Sequence, residues 1–217
     1  MARRGEVLAG LCLCGAVLCA GCGRAAAPPI GYFVESSRCL DNVRRVVLVD
    51  LRADRGGEPN AGGMTEALAK GLQGSHVFHV ERLPQTHPAL RDLALNKRTP
   101  LSFEEVRTMQ EQLQSDAVLF GAVTQFTTHP RLETGLLLRL LDLRKGTIIW
   151  AVDYTWDTTE KQTEDRMKRW FETTMRREYE PASWRMARMS PATFRKFIAH
   201  EVVATLPTPA DARAPGP

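Results

Sequence analysis

The residues that could do chemistry in this chain are few, and their spacing is poor for it. His76 and His79 sit three apart in a β-rich run, so a strand would send them to opposite faces and they could not share a metal. The five histidines are scattered and give no zinc spacing. No CxxC, HExxH or GxSxG occurs. Asp153 and Asp157, four apart on a strand, can share a face, as the paired carboxylates of hydrolases do. They flank Trp150, Tyr154 and Trp156, and nothing nearby supplies an acid–base partner, so they read as the wet side of an aromatic strand. Asn60-Ala-Gly-Gly-Met-Thr65 opens a helical pattern whose free amides could hold an anion. It lacks the Gly-Lys-Ser/Thr ending of a phosphate loop and reads as a glycine-rich cap. The expectation is a protein with no catalytic residue, no cofactor and no metal. The competing reading is a small-ligand binder or enzyme with a pocket near Asn60–Thr65 or Asp153.

The cysteines carry a clearer message. Cys12, Cys14, Cys19 and Cys22 crowd the first 22 residues, and Cys39 alone stands in the body. Arg3 and Arg4 precede an uncharged apolar run from Val7 to Ala20, the grammar of a secretory signal. That run is shorter than the roughly 20 apolar residues of a membrane-spanning helix. It ends in Leu18-Cys19-Ala20-Gly21-Cys22, which is similar to a bacterial lipobox, although Cys19 stands where leucine is usual. The likeness implies cleavage before Cys22 and acylation of that cysteine, with residues 1–21 a signal peptide. Several buried acyl chains, at about 0.8 kcal/mol per methylene, hold a protein stably on a membrane. Gly23 in place of an aspartate implies the outer membrane, facing the periplasm. The cysteines are therefore an address and an anchor rather than a disulfide framework.

Behind that address must stand a fold. Residues 22–42, with Ala25-Ala-Ala-Pro-Pro29, read as a lipidated tether that includes a short docked piece at Ile30–Val34. Residues 43–206 read as one domain, and the Pro- and Ala-rich residues 207–217 as a disordered tail. Arg44–Asp50 is a buried strand, and Met64, Ala67, Leu68 and Leu72 give a helical stripe. His76–Leu83 is a second strand. Helices follow from Pro88, with Leu90, Leu93 and Ala94 facing inward, and from Ser102. Ser102 and Glu105 form a capping box ahead of Phe103, Val106, Met109 and Leu113. Asp116–Phe126 is a strand, and Thr134–Leu143 and Thr147–Trp156 form a hairpin across Lys145-Gly146. Ile148, Trp150, Val152, Tyr154 and Trp156 are placed on one hairpin face. Thr158 is placed as the cap of a helix reaching about Arg177, with Met167, Trp170, Phe171 and Thr174 inward. A last helix starts at Ser190-Pro191, lined by Phe194, Phe197, Ile198 and Val202. The fold class expected is α/β (α+β): a single domain with a mixed sheet of about five strands and a C-terminal hairpin, covered by helices, plus two added C-terminal helices.

The run Asp116-Ala-Val-Leu-Phe-Gly121, Val123-Thr124, Leu136–Asp142, Gly146 and Ile149-Trp150 resembles a domain shared by envelope lipoproteins. These include the curli-secretion lipoprotein and the lipoprotein activators of penicillin-binding proteins; the N-terminal domain of TolB has a similar fold. The resemblance covers about residues 43–157. It implies a domain facing the periplasm that binds proteins of the envelope, with none of the quoted residues catalytic. The residues also have plain physical uses. Gly121 suggests a bulge or a close approach, Asp142 can accept turn amides, Gly146 makes the turn and Trp150 fills the core.

Two features point toward partners. All four tryptophans lie after residue 149, and Trp156 is the one offered as a contact. Residues 161–200 hold ten basic and five acidic side chains, more than the net +4 of the whole chain, and Arg166, Arg169, Arg176 and Arg177 are the candidates there. Such a face could meet anionic headgroups or an acidic partner. The overall charge is too mild to demand nucleic acid, and a secreted chain does not meet it. The partners expected are membrane lipid through Cys22 and an unidentified envelope protein, with no nucleic acid. An oligomeric secretion or assembly component is the other form this reading takes.

Overall fold

The computed structural model describes residues 29–54, 58–91, 102–175, 184–187 and 189–207. The signal peptide, residues 22–28 of the tether with Cys22, Leu93, Ala94, Arg176, Arg177 and the tail beyond Pro207 lie outside the described residues.

A parallel βαβ unit starts the main sheet. Strand β2 (Arg45–Val49) leads through helix α1 (Glu58–Gly74) to β4 (His79–Leu83), and β2 pairs in parallel with both β4 and β5 (Ala117–Thr127). The near-continuous apolar run Val46–Val49 is what a strand buried on both faces requires. β5, β6 (Glu133–Asp142) and β7 (Thr147–Asp157) then form an antiparallel meander. Two short strands complete the sheet. β1 (Tyr32–Val34) pairs antiparallel with β7, and β3 (Arg52–Ala53) runs beside β5 past the end of β2. The order is β1-β7-β6-β5-β2-β4, seven strands with β3 rather than about five.

Each face of the sheet has its own core. On one, Val46, Leu48, Leu119, Leu136, Leu138, Leu140, Trp150 and Val152 pack under α1, α4 (Lys161–Trp170) and α6 (Pro191–Val203). Helices α1 and α6 pack closely where Gly71 faces Ala199. On the other face Val47, Val49, Val118, Phe120 and Leu141 meet α2 (Pro88–Arg91) and α3 (Phe103–Leu113). The capping box is formed: the Glu105 amide donates to Ser102 Oγ (3.2 Å) and the Ser102 amide to Glu105 Oε2 (2.7 Å).

Several expectations change here, each for a local reason. The tether ends sooner than residue 42, because Ile30, Cys39 and Leu40 are buried and β1 is part of the sheet. Phe103 is 78% exposed, since it is the first helical residue and its side chain leans past the helix start. Ile148 leaves the Trp150 face. The β6–β7 register slips between Leu140 and Leu141, so Ile149 is an extra residue and Ile148 packs with the second core. Thr158 does not cap α4. Its hydroxyl donates to the Leu132 carbonyl, and Glu160 takes the cap position without a side-chain bond. Finally, α4 continues as a π turn (Phe171–Met175), whose wider spacing turns Met175 inward and leaves Thr174 exposed.

Candidate functional site

The two features offered for partners, the aromatic strand and the basic helices, meet each other inside the protein. Trp156 is fully buried, and its Nε1 donates to Glu201 Oε2 at 2.7 Å. Arg166, on α4, donates to the same carboxylate through Nε (2.7 Å to Oε1) and Nη2 (3.3 Å to Oε2). Both side chains of this ion pair are only 9% exposed. Burial alone would lower the Arg166 pKa, but the bonds to Glu201, with Tyr154 adding to them, raise it above its usual value. One carboxylate on α6 therefore ties β7 to α4. Trp156 and Arg166 are thus corrected as contact residues, because each has its donors committed within the fold.

Two further bases of the segment are paired in place. Lys161 pairs with Asp165 at 2.9 Å and Lys168 with Glu172 at 4.0 Å. The Arg195 guanidinium lies against Gly63, where a Cβ would come within 3.0 Å of it. Arg169 is exposed on α4. Among the described residues of 161–200, three of the bases, Lys161, Arg166 and Lys168, are therefore paired rather than free.

The remaining candidates also go to structural uses. α1 already begins at Glu58, so Gly62 and Gly63 lie inside the helix and their amides are not the free donors an anion site needs. Thr65 Oγ1 donates to the Ala61 carbonyl (2.8 Å) and accepts the Leu51 amide (3.0 Å). Asp142 is buried and accepts the Arg144 amide at 2.8 Å, while Gly146 turns at φ +70°. At Gly121 a Cβ would stand 2.0 Å from the Leu137 carbonyl oxygen, the close approach its type suggested. Asp116 accepts the Arg44 and Arg45 amides. Burial pushes its pKa up, but those amides and the nearby Arg144 outweigh it and hold the carboxyl below its usual value. Asp157 pairs with Arg131 at 3.2 Å, and Asp153 faces solvent. A surface cleft of about 470 Å³ lies by the start of β4, lined by Arg44, Gln73, His76 and His79.

With the interior occupied, the sheet edges are what face outward. At β4 the Gln73 amide reaches the Val80 carbonyl at 3.4 Å and blunts the edge. At β1, Gly31 and Glu35 exchange bonds with Asp153 and Ile149 of β7, so the backbone groups of Tyr32 and Val34 turn outward. Tyr32 is 38% and Phe33 51% exposed.

No family model and no curated protein matches this chain. Solved structures similar to it include the following three. A PelC dodecamer from Paraburkholderia phytofirmans is 11% identical, with 82% of this chain and 97% of that one covered and a TM-score of 0.48. Lipoprotein GNA1162 from Neisseria meningitidis is 15% identical over 54% of this chain and 86% of that one, with a TM-score of 0.40. The LpoB C-terminal domain from Salmonella enterica is 22% identical over 52% and 82%, with a TM-score of 0.37. These likenesses are of fold, and they carry no residue role to this chain.

Proposed function

We propose that the protein is a non-enzymatic, lipid-anchored envelope lipoprotein that scaffolds or regulates an envelope complex through protein–protein contacts. The observation that carries this reading is the apolar leader ending in Ala20-Gly21-Cys22, only eight residues ahead of Ile30, the first buried side chain among the described residues. A tether that short confines the domain to the membrane surface and raises its effective concentration for a neighbour held there. The fit of the candidate chemical residues to structural roles supports a binding domain over an enzyme. Residue Gly23 favours the outer membrane, facing the periplasm.

The test is fractionation of Cys22→Ser. The variant is expected to leave the membrane fraction and to lose lipid label. Retained label would overturn the anchor. For the binding role, crosslinking in intact cells is expected to join the domain to an envelope protein, and recovery of the uncrosslinked chain alone would overturn it.

A further inference from the structure

We infer that the β1 edge of the sheet rests on the membrane, with Tyr32 and Phe33 at the level of the phospholipid headgroups. The inference builds on the anchor reading of Cys22 and adds an orientation to it.

Chain length is the first argument. Eight residues from Cys22 to Ile30 span at most about 28 Å even when fully extended. The strand that follows is therefore the described element closest to the acyl anchor along the chain. Opposite it, β4 stands five strand spacings away, about 24 Å across the sheet.

The side chains at that place are the second argument. Neighbouring residues of a strand point to opposite faces, so Tyr32 and Phe33 straddle the edge. Neither face of the sheet covers them, and they stand out at 38% and 51% exposure. Aromatic side chains with one wet side favour the boundary between water and lipid. The outward backbone groups of Tyr32 and Val34 set the depth. Hydrocarbon would leave them unbonded at a cost of several kcal/mol each, whereas hydrated headgroups satisfy them.

Charge is the third. Phe33 lies in register with Ala151, and Ala151 with Arg139 of β6, so Phe33 and Arg139 share a sheet face with a small residue between them. Arg139 is half-buried and has no hydrogen bond or ion pair among the described residues. A half-buried guanidinium without a counter-ion fits lipid phosphate, which takes its fork of donors. Asp153 is exposed on the same face beside Gly31, so the phosphate contact lies at the Phe33 end of the edge rather than at Gly31.

The experiment uses the full chain in vesicles of phosphatidylethanolamine and phosphatidylglycerol. Photoreactive p-benzoylphenylalanine is placed at position 33 and, in a control, at position 81 on exposed β4. Lipid adducts at 33 are expected to exceed those at 81 by about tenfold, as a headgroup-level residue against one outside the boundary. Equal adducts, or an adduct to another polypeptide at 33, would overturn the orientation. The mass of the Cys22 peptide is read from the same digests. An acylated Cys22 without preference for position 33 removes the orientation and leaves the anchor. An unmodified Cys22 removes both.

Discussion

Two groups of aromatic residues divide this molecule. Trp150, Trp156 and Trp170 belong to the C-terminal half and are buried, while Tyr32 and Phe33 near the N-terminal end of the described fold are exposed. The difference lies in what each can reach. Trp156 finds a carboxylate 45 residues away on α6, and Trp150 donates to Thr205 Oγ1 at 3.0 Å. A buried indole needs such an acceptor, and α6 and the turn that follows it supply them. β1 has three residues and one neighbour, and no described helix covers it. An aromatic-rich stretch is thus an interior when long-range acceptors exist and an exterior when they do not.

The largest effect expected from breaking this contrast is at Glu201. Glu201→Ala strands the buried Arg166 charge and the Trp156 N–H together, and should cost about 3–5 kcal/mol in urea unfolding. Replacing both members of the pair, Glu201→Leu with Arg166→Met, should restore most of that loss, because no lone charge is left. A single variant as stable as the parent would show that the pair does not hold the C-terminal aromatic group inside.

The π turn offers the next test. Met175 is buried and Thr174 exposed, the reverse of what an unbroken α-helix through this stretch implies. Met175→Ala should lose about 2–5 kcal/mol, whereas Thr174→Ala should change stability by under about 0.5 kcal/mol. Equal losses from the two, measured by thermal melting, would restore the α-helical spacing and rotate the end of this buried aromatic layer.

Much of the architecture was legible because its signals are local. Alternation fixed the faces of Leu136, Leu138 and Leu140; the Ser102–Glu105 box marked the start of α3; Pro191 marked α6. What escaped was non-local or one residue wide. The bulge at Ile149 sends Ile148 to the other core, and a hydrophobic count by twos does not register an inserted residue. Arg166 read as one charge on a basic face because its partner lies 35 positions away. The same holds for the site: residue types on α4 could not say which arginine turns inward. At β1 the three-residue strand is too short for a periodicity, and its pairing with β7 crosses more than a hundred residues.

The smallest thermodynamic effect, and the sharpest separation of the two aromatic groups, is expected at the edge itself. Tyr32→Ser with Phe33→Ser removes two rings that the protein does not enclose, so unfolding free energy should move by about 0.5 kcal/mol or less for each. Backbone pairing of β1 with β7 needs neither side chain, since Gly31 and Glu35 carry bonds to it. A loss of several kcal/mol from the double variant would mean that the rings belong to the core and would erase the contrast with Trp156. A near-silent change, beside a costly Glu201→Ala, would show that one aromatic group holds the fold and that the other is free to contact what lies outside it.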